Sequence, residues 1–215
     1  MIVKICGIKD VAAMEAALEA GADMTGLVFF GPSPRNVAPL EAATLASRAR
    51  GKAKVVALTV DADDAALDLI MKHAAPDLLQ LHGKETPARV RELRARYGVP
   101  VMKALGVSNA RDLDLAAKYE ADWMLYDAKP PKDATRPGGH GVAFDWSLLK
   151  NAPRKTPMML SGGLDPENVA EAIRIARPDG VDVSSGVESA PGVKDRNKII
   201  SFVRAARASV MERAS

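Results

Sequence analysis

Short runs rich in aliphatic and β-branched residues recur along the chain, each followed by a stretch with helical periodicity. The runs are Val3–Ile8, Thr25–Phe30, Lys54–Val60, Leu78–His82, Val99–Leu105, Trp123–Asp127, Pro157–Ser161 and Gly180–Ser184. Eight runs in 215 residues, about 27 residues apiece, have the pitch of successive strand–helix units. The helical stretches carry their own punctuation. Met14, Ala17 and Leu18 recur at helical spacing and Gly21 stands where a C-terminal cap belongs. Thr86-Pro87 and Asp165-Pro166 each pair an N-capping side chain with proline at the first helical position. Near the C-terminus Ile199, Phe202, Val203, Ala206 and Val210 fall on one helical face. Eight parallel strands with interleaved helices predict a single (β/α)8 TIM barrel of the α/β class spanning residues 1–215. An open doubly wound sheet normally has about five to seven strands and often opens with a glycine-rich phosphate turn, which is missing after the first run here.

One connection breaks the regularity. Lys129 to Asp145 is rich in proline, glycine and cations, too long for an ordinary strand-to-helix turn, and follows the sixth strand at the face where barrel active sites lie. A lid is the favoured reading.

Composition narrows the class. At 47% hydrophobic and 27% charged, the chain can bury a full core. A formal net charge of +3, with cations spread among acidic residues and nine aromatics in all, describes a solvated surface more than a nucleic-acid stripe. One cysteine forms no intrachain disulfide, no leader-like segment opens the chain, and no apolar stretch approaches the roughly 20 residues of a membrane span. The expectation is a soluble cytoplasmic domain without nucleic-acid or membrane partners.

In a barrel, chemistry comes from strand ends and the loops after them. Cys6 ends the first strand. A free cysteine is most often an inert buried residue, but Gly7 follows it, and alternation puts Lys4, a poor occupant of an apolar layer, on the same face. An inward lysine needs a carboxylate. Asp127 ends the sixth strand. Its ordinary job would be an N-cap, yet Ala128-Lys129-Pro130-Pro131 is a poor helix start, and a carboxyl at a barrel mouth suits a general acid. Gly162 and Gly163 follow strand seven, and Ser184, Ser185 and Gly186 follow strand eight. Such loops expose N–H and hydroxyl donors where many barrels hold phosphate. Arg35 is either a surface ion-pair residue or a fork for a substrate carboxylate. Gln80 and His82 share one strand face and stand as candidate substrate contacts, although a lone histidine there is more often structural. Asp182 either contacts sugar hydroxyls or neutralises Lys4 or Lys103. Three scattered histidines and one cysteine give no metal-ligand spacing, so neither metal nor other cofactor is expected.

Taken in order, Lys4–Ile8, Gly26–Phe30 with Ser33-Pro34-Arg35, Gln80–Gly83, Asp127–Gly139 with Phe144-Asp145-Trp146, Ser161–Leu164 and Val181–Glu188 resemble the phosphoribosylanthranilate isomerase family of tryptophan biosynthesis. Ser161, Lys9 and His140 depart from the family's commoner residues, none at a position with an expected catalytic role. The resemblance implies an Amadori rearrangement of N-(5-phospho-β-D-ribosyl)anthranilate, third in tryptophan synthesis from chorismate. It implies Asp127 as general acid, Cys6 as proton acceptor, phosphate on the strand-seven and strand-eight loops, Arg35 near the anthranilate and Asp182 near the ribose hydroxyls. It implies no cofactor, and a monomer or homodimer acting on a small phosphorylated aminosugar. The related histidine-pathway isomerase places an aspartate at the end of strand one, so Cys6 argues against it. A non-catalytic sugar-phosphate-binding barrel would need the loops without Cys6 and Asp127 together.

Overall fold

The computed structural model describes residues 1–129, 144–152 and 154–211. Eight parallel strands close into a barrel in chain order: β1 (Ile2–Cys6), β2 (Met24–Phe29), β3 (Lys54–Thr59), β4 (Leu78–Leu81), β5 (Val101–Val107), β6 (Trp123–Ala128), β7 (Met158–Leu160) and β8 (Gly180–Val183). Helices α1 (Val11–Glu19), α2 (Pro39–Ala49), α3 (Asp64–Ala74) and α4 (Pro87–Tyr97) follow β1 to β4. α5 (Ala110–Asp114) follows β5, α6 (Val169–Ala176) follows β7 and α7 (Arg196–Met211) closes the chain. After β6 the described residues contain a 3-10 turn, Trp146–Asn151. None of the described helices is long and apolar enough to cross a membrane.

The predicted punctuation explains the element ends. Gly21 (φ +82°) lets its own N–H reach Leu18 and that of Ala22 reach Ala17, ending α1 in a Schellman motif. Thr86 caps α4 through the Arg89 N–H, with Pro87 at the first position. Asp165 instead serves a turn ahead of α6, taking the N–H groups of Glu167 and Asn168, so the regular helix starts at Val169. β5 starts two residues later than predicted. Pro100 has no N–H to give to a ladder, and the strand begins after it. Ile199, Phe202, Val203 and Ala206 of α7 are buried as predicted. Of the expected lid, Lys129 to Asp145, residues 130–143 lie outside the described residues.

Side chains inside the barrel stack in layers. At the N-terminal end Met24, Val56, Leu78, Met102, Ala104, Leu125 and Met159 form an apolar plug, closed below by Ile2 and Trp123. At the C-terminal end Cys6, Val28 and Leu58 pack together. Between them lie buried Lys4, Gln80 and Asp182. A larger apolar shell joins the strands to the helices.

The N-terminal rim carries a fourfold repeat. Asp23, Asp77, Asp122 and Asp179 each stand one residue before an even-numbered strand. Their carboxylates accept the N–H of Val3, Val55, Val101 and Met158, at 2.7, 2.7, 2.9 and 2.8 Å. Each aspartate's own N–H returns a bond to the carbonyl of the same residue. The first or second residue of every odd-numbered strand is thus tied at both polar groups to the start of the next strand.

Candidate active site

β1 delivers the thiol. Cys6 is 3% exposed and pairs with Gly26 across the β1–β2 ladder. A Cβ on Gly26 would lie 2.8 Å from the sulfur, so the glycine makes the room the thiol occupies. Gly7 has φ +77°, and a Cβ there would strike Arg35 Cδ at 2.4 Å. What approaches Gly7 closely is therefore the Arg35 stem, with the Ser184 hydroxyl beside it.

Lys4 faces the barrel interior, wholly buried, and donates to Asp182 Oδ1 at 2.8 Å. The Ser161 hydroxyl donates to the other Asp182 oxygen at 3.3 Å. Asp182 thus satisfies the inward lysine, as one sequence reading required. Lys103 was the wrong alternative. Its neighbours Met102 and Ala104 face the interior, so Lys103 points outward and binds Glu85 at 2.7 Å along with the Leu81 and Gly83 carbonyls. Burial disfavours the Lys4 ammonium, but Asp182 and Cys6 outweigh it and its pKa is raised. Burial also pushes the Cys6 thiol above its ordinary 9.0, while Lys4 and Lys194 pull it down and Asp182 adds to the rise. The resting form at neutral pH is the thiol.

Asp127 is 5% exposed and sits on β6, two strands from β8 around the ring. Its Oδ1 accepts the Ala128 N–H at 2.8 Å, and its Oδ2 lies 3.3 Å from His82 Nε2. The other ring nitrogen of His82 is 3.0 Å from Gln80 Nε2. Gln80 and His82 therefore reach Asp127 from β4, across the intervening β5. The inward β5 position beside Asp127 is Gly106, which places no side chain between them.

The two glycine loops meet. Gly162 (φ +86°) and Gly163 (φ +66°) are consecutive left-handed residues, a shape that glycine adopts without strain. A Cβ on Gly162 would overlap the Ala128 nitrogen at 2.4 Å and the Asp127 carboxyl at 2.7 Å, so this glycine also makes room for the acid. Gly186 packs against the Leu164 carbonyl so tightly that no side chain fits there. Ser185–Val187 form a single 3-10 turn after β8. Gly162, Gly163, Ser184, Ser185 and Gly186 are all partly exposed at this rim.

Arg35 is 4% exposed, and its Nε and Nη2 grip Glu188 in a two-pronged pair at 2.7 and 2.8 Å. Glu188 also accepts from Lys194 at 2.8 Å and from the Gly192 N–H at 3.1 Å. Lys194 donates further to the Ser184 carbonyl at 2.9 Å. Burial raises the Glu188 carboxyl, yet Arg35 and Lys194 together hold it below its usual range. For Lys194 burial wins over Glu188 and the pKa falls. Glu188 and Lys194 sit on β9 (Glu188–Ala190) and β10 (Val193–Lys194), a small antiparallel ribbon. The sequence pattern does not reveal it because strands of two and three residues have no periodicity. Among the described residues no group of three or more His, Cys, Asp or Glu is placed to hold a metal ion.

Comparison with known proteins bears on this constellation. The sequence profile of N-(5'-phosphoribosyl)anthranilate (PRA) isomerase matches residues 3–205. A Rhodopseudomonas palustris protein named N-(5'-phosphoribosyl)anthranilate isomerase is 59% identical over 209 residues, covering 96% of each chain. The crystal structure of phosphoribosyl anthranilate isomerase from Thermotoga maritima superposes with a TM-score of 0.88 at 38% identity, covering 97% of this chain and 100% of that one. Another phosphoribosyl anthranilate isomerase, in complex with reduced 1-(O-carboxyphenylamino)-1-deoxyribulose 5-phosphate, gives a TM-score of 0.83 at 34% identity, covering 97% of this chain and 100% of that one.

Proposed function

Because the chain belongs to the N-(5'-phosphoribosyl)anthranilate isomerase family, we propose that Asp127 and Cys6 are the acid and the base of its reaction. That reaction is the Amadori rearrangement of N-(5-phospho-β-D-ribosyl)anthranilate to 1-(2-carboxyphenylamino)-1-deoxyribulose 5-phosphate, a step of tryptophan synthesis. Asp127 protonates the furanose ring oxygen as the C1′–O bond breaks, leaving an iminium ion. Cys6, as thiolate, removes the C2′ proton, and the electron pair neutralises the iminium to give an enolamine. Tautomerisation adds a proton at C1′ and releases that of the 2′-hydroxyl, leaving the ketone. Each such proton transfer typically contributes about 10²–10⁴-fold. The substrate's own iminium is the electron sink.

The observation that carries this reading is the pairing of a buried thiol and a nearly buried carboxyl on one rim, each with a glycine that makes its room. The raised thiol pKa bears on the order of events. Lys4 already favours the thiolate, and the positive iminium adds to that, so the thiol gives up its proton to solvent more readily and more of the reacting thiolate is present once the ring has opened. Gly162, Gly163, Ser184, Ser185 and Gly186 take the phosphate, and Asp182 the ribose hydroxyls. Arg35 holds the anthranilate carboxylate by the guanidinium edge not given to Glu188. Holding these remote groups orients the sugar and is binding energy applied to the reacting centre. In this reading the enzyme works in the cytoplasm as a monomer or homodimer, without nucleic-acid or membrane partners.

The test is a fluorescence assay of purified protein with freshly generated phosphoribosylanthranilate, run beside the histidine-pathway aminoaldose. Turnover of the anthranilate substrate is expected. Turnover of neither would return the chain to a sugar-phosphate-binding role.

A further inference from the structure

We propose that His82 is a positioning residue for Asp127, itself held in one tautomer by Gln80. The proposal rests on the reading of Asp127 as proton donor. Gln80 Nε2 lies 3.0 Å from His82 Nδ1, and His82 Nε2 lies 3.3 Å from Asp127 Oδ2. An amide nitrogen only donates, so Nδ1 accepts and the ring proton sits on Nε2, aimed at the carboxyl. Asp127 then has a donor on each oxygen, His82 on one and the Ala128 N–H on the other. Two donors fix its rotamer. The anion left by proton delivery finds both partners already in place.

Gln80 bears on the assignment by which end of its amide faces the ring. It is fully buried, and its Oε1 has no hydrogen-bond partner among the described residues. An unsatisfied buried carbonyl costs about 1–3 kcal/mol. Turning the amide over would give Oε1 to Nδ1 but force the proton onto Nδ1. With Asp127 ionised, as it is once it has given up its proton, a neutral ring in that form would face it with a bare Nε2, acceptor against acceptor. The amide orientation with Nε2 toward the ring is thus the one by which a neutral His82 keeps a donor on Asp127. This differs from the substrate-contact role that the sequence offers for Gln80 and His82.

The experiment uses the full chain and phosphoribosylanthranilate. His82→Ala is expected to lower kcat about ten- to a hundredfold, as loss of an orienting partner does elsewhere. KM should change less than about threefold. His82→Gln, whose amide can still donate, should recover part of the loss. Added to Asp127→Asn, His82→Ala should cost nothing more. Should the alanine variant not fold, nitrogen NMR of the wild-type imidazoles at neutral pH reads the same claim, the expected form being a protonated Nε2 with a bare Nδ1. The proposal is overturned by a raised KM with kcat intact, by losses that multiply in the double variant, or by a proton on Nδ1. An Asp127→Asn variant with wild-type turnover would remove the acid role itself. Ordinary loss in Asp127→Asn with an unaffected His82→Ala removes the positioning role alone.

Discussion

The two rims of this barrel use aspartate in opposite ways. At the N-terminal rim Asp23, Asp77, Asp122 and Asp179 repeat one task, each bonding the N–H of the first or second residue of the preceding strand. Their environments are open: Asp77 and Asp179 are exposed, and Asp23 and Asp122 carry arginine partners in Arg207 and Arg94. At the C-terminal rim Asp127 and Asp182 are nearly buried, and no two make the same contacts. One meets a histidine and a backbone N–H, the other a buried lysine and a serine hydroxyl. Repetition at one end ties the ring together; the irregular contacts at the other fit the proposed chemistry, since barrel strand ends commonly supply reacting groups.

Breaking the C-terminal side should produce the largest effects. Cys6→Ser is expected to cut turnover by about 10²–10⁴-fold, because a hydroxyl is a far weaker proton acceptor in the same place. Steady-state kinetics would show KM nearly unmoved. Next comes Asp182→Ala, which strands the Lys4 ammonium and should destabilise by about 3–5 kcal/mol in chemical denaturation. Replacing both members with apolar residues, Lys4→Met with Asp182→Leu, should recover most of that stability while activity stays lost. On the other rim Asp77→Ala removes one carboxylate bond at an exposed position, for about 1–2 kcal/mol. Turnover per folded molecule should not change. A loss of turnover there would erase the contrast between the rims.

The smallest effects are pH effects. The folded state holds the Cys6 proton more tightly than the unfolded chain does. That contribution is complete below 9.0 and is lost as pH rises toward the folded value, so thermal stability should decline in mildly alkaline buffer. Cys6→Ser should flatten the decline. Glu188 has the opposite sign. Its folded pKa lies below 4.5, so its contribution is present above that value and is lost as pH falls through the folded one. Arg35→Met should remove most of that acid dependence.

Much of the fold was legible because apolar runs of strand length repeat, and because Gly21, Thr86 and Pro87 mark helix ends by chemistry local to the chain. Cys6, Asp127 and the two glycine loops were legible because a barrel displays its strand ends. Lys4 announced a carboxylate partner, and it was one of two lysines that Asp182 was read to fit. The rest depended on distance in space. The clamping aspartates look like ordinary turn residues until odd and even strands pair. Arg35 read as either a surface ion-pair residue or a substrate fork, with no partner named and no burial foreseen, because Glu188, 153 residues later in the chain, is brought to it only by the ribbon after β8. His82 read as a lone histidine because its acid comes from two strands away, past a glycine.

The most direct measurement makes one chemical change at both rims. Asp127→Asn and Asp77→Asn each replace a carboxylate with an amide of the same shape, and both are read for turnover of phosphoribosylanthranilate at saturating substrate. The expected result is a loss of about 10²–10⁴-fold for Asp127→Asn and wild-type turnover for Asp77→Asn. Equal turnover in the two variants would contradict the account.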